Sequence, residues 1–154
     1  ESDWPNARDL YGRSKLLGEV DYSNAITLRT SIIGHEIGSG HSLLEWFLRQ
    51  TESSINGFSK AVFSGFPTVE LARIIHDYVI PEPSIHGLYH VSSSPINKYE
   101  LLTLIAKEYS KDIDVKVEDS LVIDRSLDSS RFREATGFQS RSWQEMLATM
   151  REFG

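Results

Sequence analysis

A tyrosine and a lysine four positions apart, Tyr11 and Lys15, are the residues of this sequence best suited to proton transfer. On a helix, side chains four residues apart share one face. A free phenol has a pKa of about 10, so it exchanges a proton near neutrality only if its anion is stabilised by about 4 kcal/mol. An ammonium about 5 Å away supplies roughly 3 kcal/mol of this at an effective dielectric constant near 20. The spacing therefore indicates a candidate acid/base pair.

The sequence around this pair predicts a helix that leads into a buried strand. Apolar and small residues recur on one stripe over residues 8–20, and Asp9 stands near the amino end, where its charge suits the helix dipole. Aliphatic and β-branched residues predict a strand over residues 25–30. Arg29 on this strand either pairs with a carboxylate or directs the residues after it towards a ligand. The second interpretation rests on the position of active sites in open α/β sheets, which lie at the carboxyl ends of strands, and both interpretations stay open.

Further along the chain, a helix and a strand follow in an order typical of a parallel crossover. We predict a helix over residues 68–80 with Thr68 as its N-cap, and a strand over residues 87–92. The buried face of that helix would comprise Leu71, Ala72, Ile74, Ile75, Tyr78 and Val79. Strands 25–30 and 87–92 would then be parallel neighbours, with extra elements inserted ahead of the helix. The fold class is α/β.

Other segments give weaker signals. Apolar periodicity predicts helices over residues 42–50 and 143–153, the second with Trp143, Met146, Leu147 and Met150 turned inward. A turn is expected at residues 55–57. Asp128 would cap a short helix that ends at Gly137.

Composition bounds the class of protein. The chain has 154 residues, a formal charge of -6, 40% hydrophobic residues and no cysteine. We expect one globular unit in a reducing cytoplasm, without affinity for nucleic acid or membranes, since there is no basic run and no apolar segment of about 18 residues. Disulfides and thiolate metal sites are excluded. His86 and His90 lie on a predicted strand without acidic neighbours in sequence, so we predict no metal site.

A glycine-rich segment at residues 38–40 follows a strand and precedes a helix, as dinucleotide-binding turns do. Leu43 occupies the third glycine position, however, and no acidic residue stands about 20 positions later. The surrounding loop carries His35, Glu36 and His41. It is either part of a binding cleft or an ordinary surface loop, and we take His35 as a candidate substrate contact.

Several blocks occur in the order found in one enzyme family. They are Tyr-Gly-x-Ser-Lys, Leu-Arg-Thr-Ser, Gly-x-Pro-Thr, Gly-Leu-Tyr-His-Val-Ser-Ser, Arg-Ser-Leu-Asp and a terminal tryptophan helix. With them, the chain resembles the extended short-chain dehydrogenase/reductases, and most closely dTDP-4-dehydrorhamnose reductase-like enzymes. The resemblance covers nearly the whole chain, but only the C-terminal half of such an enzyme. We therefore interpret the chain as a fragment.

The resemblance implies roles for particular residues. Tyr11 would be the general acid/base at the sugar C4 position, and Lys15 would hold the nicotinamide ribose beside it. The cofactor contacts would be Tyr11, Lys15, Thr30, Ser31, Ile32 and Ile33. The substrate contacts would be His35, Pro67, Thr68 and Arg125, with Arg125 near the nucleotide diphosphate although Ser126 replaces the usual following proline.

The same resemblance implies a division of the chain. Residues 1–34 would end a Rossmann-like NAD(P)-binding domain, and residues 35–154 would form a small α/β substrate-binding lobe interleaved with the late strand 87–92. The pyrophosphate-binding turn and the third catalytic residue would precede Glu1. We accordingly expect NAD(P) to bind the full-length parent and not this fragment, which should be inactive alone. The uncovered sheet or first helix should favour self-association.

Three alternatives stay open. The parent is a reductase of 4-keto nucleotide sugars used for surface polysaccharides, or an epimerase or dehydratase with the same Tyr-x-x-x-Lys pair. In the second alternative, the parent is an atypical family member that keeps the fold but only binds a nucleotide or regulates a partner, without catalysis. Lastly, the module is an interaction domain in which Tyr11 and Lys15 are merely exposed on a helix.

Overall fold

The structure, a computed structural model, describes residues 1, 3, 5–20, 22–38, 40 and 42–154. Helices and short strands alternate along these residues, as expected for the α/β class. In chain order they are α1 (Leu10–Leu17), β1 (Ile26–Arg29), β2 (Ile32–Ile33), α2 (Leu43–Leu48), β3 (Ser54–Phe58), β4 (Ala61–Phe63), β5 (Phe66–Pro67), α3 (Thr68–Ile74, continued by a π-helical turn Ile75–Val79), β6 (Gly87–His90), β7 (Ile96–Asn97), α4 (Lys98–Glu108), β8 (Asp114–Glu118), β9 (Ile123–Arg125), α5 (Ser130–Thr136) and α6 (Trp143–Glu152).

The predicted parallel neighbours are confirmed. Strand β1 pairs parallel with β6, in a register that joins Ile26 to Gly87 and Arg29 to His90. The segment between them contains α3 together with the inserted elements α2 and β3 to β5. Strand β1 is half-buried along its length and not buried as predicted, because β6 is its single strand partner among the described residues.

The chain changes strand partner immediately after β1. Strand β2 pairs parallel with β5, in a register that joins Ile32 to Phe66 and Ile33 to Pro67. The change falls at residues 30–31, between two strands that are almost continuous in sequence. Residues 30–31 lie directly after the carboxyl end of β1, and ligands of open α/β sheets bind outside the carboxyl ends of strands.

A second group of strands builds the rest of the sheet structure. Strand β3 pairs parallel with β8, and β4 lies between the antiparallel β7 and the parallel β9. The expected turn at residues 55–57 was wrong, because these residues lie within β3. A Cβ added at Gly57 would lie 2.8 Å from both Tyr99 Cα and Val115 Cγ1. Glycine is therefore required there for the close approach of β3 to α4, and the signal was misread as a turn.

Helix α3 begins one residue away from its predicted cap. Pro67 occupies the N-cap position without a side-chain hydrogen bond, because it is the last residue of β5, and Thr68 is the first helical residue. The predicted buried face is also wrong in part. Ile74 is buried, whereas Ala72, in the regular α-helical part, is exposed. Ile75 is 36% exposed, and the chain changes to a π-helical turn at this residue.

The remaining helices follow the predictions more closely. Helix α2 is shorter than residues 42–50 because Ser42 caps it and Arg49 ends it. Gly137, with a φ of 72°, ends α5 as predicted. Asp128 does not hold the N-cap position of α5, which is Ser129; its carboxylate instead accepts hydrogen bonds from Ser130. All four residues predicted to face inward from α6 are buried.

One hydrophobic cluster connects these elements. It joins Ile33, buried side chains of α2, α4 and α6, and the aromatic rings of Tyr89, Phe132 and Phe138, with Ile26 and Leu28 of β1 packed against it. Helix α1 has no buried residue and lies outside the cluster. Among the described residues, no helix is long and apolar enough to cross a membrane.

Candidate functional site

Helix α1 carries the tyrosine and lysine on one exposed face. The carboxylate of Asp9 caps the helix by accepting a 2.8 Å hydrogen bond from the Gly12 backbone N–H, which lowers the pKa of Asp9. The Lys15 Nζ atom lies 5.3 Å from the centroid of the Tyr11 ring. The two side chains therefore lie together as the spacing predicted, with the phenol of Tyr11 open to ligands because 74% of that residue is exposed.

A cleft of about 700 Å³ brings most of the predicted site residues together. The predicted residues that line it are Tyr11, Thr30, Ser31, Ile32, Ile33, His35, Thr68 and Arg125. They come from α1, from residues 30–35 in and around β2, from the start of α3 and from β9. Lys15 and Pro67 do not line it. The roles of all these residues in binding or catalysis stay predictions.

Arg29 of β1 pairs with a carboxylate, which is the first of the two interpretations given above. Arg29 donates two hydrogen bonds to Glu19, from Nε to Oε1 at 2.6 Å and from Nη2 to Oε2 at 2.8 Å. This contact lowers the pKa of Glu19 and raises that of Arg29. It ties the segment after α1 to the end of β1, so it helps to hold Tyr11 beside residues 30–31.

Pro67 and Thr68 lie on different sides of the cleft wall. Pro67 is fully buried in the pairing of β5 with β2, so it supports the wall without facing the cleft. Thr68 is exposed, and its Oγ1 atom would lie 2.8 Å from a Cβ added at Gly34. The glycine therefore lets the start of α3 approach the strand β2 and brings the threonine hydroxyl into the cleft.

His35 is held by side chains from two helices. Its Nδ1 atom lies 3.1 Å from Glu45 Oε1, and its Nε2 atom lies 2.9 Å from the Tyr109 hydroxyl. Burial raises the pKa of Tyr109 to about 12, so this hydroxyl keeps its proton and can donate it in a hydrogen bond to Nε2. Both ring nitrogens are thus engaged within the protein, and no local sequence pattern marks either partner.

Arg125 reaches the cleft from β9, where it is registered with Phe63 of β4. The chain after it is fixed by buried serines: Leu127 N–H donates to Ser64 Oγ at 2.9 Å, and Ser92 Oγ donates to the Leu127 carbonyl at 2.8 Å. These bonds place the Arg-Ser-Leu-Asp block as a rigid continuation of the sheet. They therefore fix the backbone that follows β9, from which the Arg125 side chain extends at the cleft.

Sequence reasoning missed several residues of the cleft. Its apolar wall includes Leu43, Ala61, Val62, Phe63, Leu101, Leu121 and Ile123, and Lys98 adds a charged group. None of them belongs to a motif, so only their position in the fold identifies them. Two residues of the glycine-rich loop considered above, Ser39 and His41, lie outside the described residues.

A second cavity of similar volume lies between the end of α1 and the start of β6. Its charged groups are engaged within the chain: Glu19 binds Arg29, and Arg131 donates to the Leu88 carbonyl at 2.7 Å and covers the Tyr89 ring. No predicted site residue lies there. Over the described residues, no three histidine or acidic side chains are grouped so that they could hold a metal ion.

Comparison with solved structures identifies the fold. The chain is similar to dTDP-4-dehydrorhamnose reductase from Bacillus anthracis in complex with NADP, with a TM-score of 0.72 and 18% identity, over 92% of this chain and 52% of that one. A hypothetical dTDP-4-dehydrorhamnose reductase from Sulfolobus tokodaii gives 0.68 and 28%, over 93% and 55%. UDP-N-acetylglucosamine 4-epimerase from Bacillus cereus gives 0.73 and 17%, over 99% and 57%.

The chain spans about half the length of these enzymes. No protein-family model and no curated protein matches the sequence. The predicted fold class, a Rossmann-like arrangement of parallel strands with helices, is confirmed by the strand pairing and by the solved structures together. The chain has the fold of part of an extended short-chain dehydrogenase/reductase and resembles the dTDP-4-dehydrorhamnose reductases and related sugar epimerases over about half of their length.

Proposed function

We propose that this chain supplies the tyrosine–lysine pair and the substrate-binding lobe of an NAD(P)-dependent enzyme that reduces 4-keto nucleotide sugars. One observation carries the proposal: the phenol of Tyr11 shares a single cleft with residues 30–33 and with Arg125. A reductase of this kind needs a proton donor, a nicotinamide contact and a cation for the substrate phosphates in one cavity. Products of this reaction serve as precursors of surface polysaccharides, and we place the enzyme in the cytoplasm.

In this proposal Tyr11 donates its phenolic proton to the oxygen at sugar C4. A reduced nicotinamide, when bound, supplies the hydride to C4, so that the ketone becomes an alcohol and the cofactor is oxidised. Lys15 stabilises the phenolate left on Tyr11 and contacts the nicotinamide ribose. Residues 30–33, where the chain passes from β1 to β2, would contact the nicotinamide end of the cofactor. The residues present thus fit that end of the cofactor alone.

The substrate would occupy the rest of the cleft. Thr68 and Arg125 would bind the sugar and the diphosphate, and Pro67 would support Thr68 from behind. His35 would position the loop that borders the sugar. Residues 1–34 would complete the Rossmann-like domain and residues 35–154 would form the substrate lobe with the strand 87–92. The pyrophosphate of the cofactor would bind a segment outside this chain, so we expect the chain alone to be inactive and to bind no NAD(P).

Isotope transfer tests the proposal in the complete enzyme. We expect deuterium from 4-deuterated NADPH or NADH to appear at C4 of the sugar product, with one cofactor oxidised for each sugar reduced. The measurement is the product mass and its proton spectrum beside the absorbance of the reduced cofactor. Turnover of a sugar without net cofactor oxidation would refute the reductase.

A sugar epimerase is the second candidate function. The similarity to UDP-N-acetylglucosamine 4-epimerase, at a TM-score of 0.73 over 99% of this chain, supports it as well as it supports a reductase. An epimerase returns the hydride to the sugar, so its cofactor is regenerated in each turnover. The isotope experiment separates the two, because an epimerase with added deuterated cofactor would give no stoichiometric label. A dehydratase would also consume no net cofactor but would release water from the sugar, and a regulatory member would do neither.

A further inference from the structure

Lys98 differs from the other partly buried basic residues that the structure describes, because its side chain has no partner within the described part of the chain. Four basic residues are partly buried: Arg29, Lys98, Lys111 and Arg141. Arg29 binds Glu19, Lys111 donates to the carbonyls of Leu48 and Gln50, and Arg141 binds Glu70 and Thr149. Lys98 has no side-chain hydrogen bond, ion pair or ring contact with any described residue. Because Lys98 lines the cleft, its ammonium, with three hydrogen-bond donors, is available to an anionic ligand.

The position of Lys98 in the sheet relates it to Arg125. Strand β4 lies between β7 and β9, and its residue Phe63 is registered with Ile96 on one side and with Arg125 on the other. Lys98 follows β7 directly and lines the same cleft as Arg125. The two basic residues therefore flank β4 from opposite sides.

The strand geometry sets their separation. Two strand spacings across the sheet and two residues along it place the two Cα atoms about 12 Å apart. Long basic side chains from both sides can reach one group that lies over β4. Arg125 has no hydrogen bond or ion pair of its own with the described residues, although Asp9 lies near enough to interact with it electrostatically. Two uncommitted cations thus converge on one concave surface of a chain whose net charge is -6.

We propose that Lys98 and Arg125 together bind the diphosphate of a nucleoside diphosphate, with Lys98 as a specificity-determining residue that selects two linked phosphates over one. This inference rests on the proposed function for the identity of the ligand and extends it to a residue that no motif marks. A single phosphate would satisfy one cation and leave the other unpaired, whereas a diphosphate has charged oxygens for both.

Calorimetric titration of the chain with UDP and with UMP tests the assignment. We expect Lys98→Gln to weaken UDP binding about tenfold, near the lower end of the loss for a hydrogen bond to a charged group, and to weaken UMP binding less. The matched control is Lys116→Gln, because Lys116 is an exposed lysine of β8 that does not line the cleft. Both variants remove one positive charge, so a general electrostatic effect would weaken UDP binding equally in the two.

Equal UDP affinities for the two variants would overturn the inference, and so would the absence of measurable UDP binding to the unmodified chain. Thermal unfolding of Lys98→Gln confirms that the variant is folded. The outcome is distinguishable from that of the proposed function, because UDP binding requires no hydride transfer. If the complete enzyme transfers no hydride while Lys98→Gln still weakens UDP binding selectively, the reductase fails and the diphosphate site stands.

Discussion

Glu19 and Arg29 form the contact that holds the end of α1 beside β1. Their side chains are only 24% and 26% exposed, so water weakens this ion pair less than it would a pair on the open surface. We expect Glu19→Gln to lower the free energy of unfolding by about 1 kcal/mol at pH 7. Urea unfolding gives the value. Glu134→Gln is the control, because Glu134 is exposed on α5 and has no side-chain partner among the described residues.

This contribution should depend on pH in one direction. Hydrogen bonding to Arg29 lowers the pKa of Glu19 below its usual value of 4.5. A group whose folded-state pKa is lowered adds stability above its unfolded-state pKa and loses it as the pH falls through the folded-state value. The difference between the original chain and Glu19→Gln should therefore shrink below pH 4.5. A difference that stays constant at acid pH would mean that Glu19 acts by packing and not by charge.

The contacts of a side chain could be predicted from the sequence when the partner lies within a few residues, and not when it lies far along the chain. Tyr11 and Lys15 could be paired from their spacing, since helical geometry fixes which neighbours meet. Glu70 shows the opposite case. It is 4% exposed and binds Arg141, which lies 71 positions later, so no local pattern marks it as buried. The contact of His35 with Tyr109 spans 74 positions and is invisible to sequence for the same reason.

At the scale of elements, β3 depends on a glycine for its contact with α4. We expect Gly57→Ala to lower the free energy of unfolding by about 1 to 3 kcal/mol, because the added Cβ would meet the Tyr99 backbone and Val115 at 2.8 Å. Denaturant unfolding measures the loss. Gly18→Ala is the matched control, since the nearest atom to its added Cβ is 3.5 Å away and its φ of -86° suits alanine. Equal stability of the two variants would contradict the close approach.

Elements with long periodic patterns were predicted well, and short ones were not. Helix α6 agreed with its hydrophobic pattern. The pairing of β1 with β6 was predicted from the order strand, helix, strand and not from a long pattern. The two-residue strands β2 and β5 have no periodicity to detect, and their pairing creates the partner change that opens the cleft. The π-helical turn after α3 shifts the buried face by an amount that a regular period cannot show.

At the scale of the whole molecule, helix α1 has no buried residue and exposes apolar side chains to solvent. Leu10 and Leu17 lie seven residues apart, on nearly the same face, and are 85% and 86% exposed. We predict that the chain self-associates through this helix, and that replacing both leucines with glutamine reduces the association. Light scattering over a concentration series measures it. Ile80→Gln, at a residue 69% exposed elsewhere, serves as the control. A monomer at high concentration, or an equal effect of the control, would disprove the prediction.

The claim that Tyr11 is the proton donor of a nucleotide-sugar enzyme is tested most directly by removing its hydroxyl in the complete enzyme. Tyr11→Phe keeps the ring and its contact with Lys15 and loses only the hydroxyl that carries the proton, so turnover should fall by a factor of roughly 100 or more with little change in substrate affinity. Tyr22→Phe is the matched control, because Tyr22 is 65% exposed and does not line the cleft. The steady-state kcat and KM of both variants are the measurement. If kcat of Tyr11→Phe stays within a few-fold of that of Tyr22→Phe, the tyrosine is not the proton donor, and a binding function becomes the better account of this cleft.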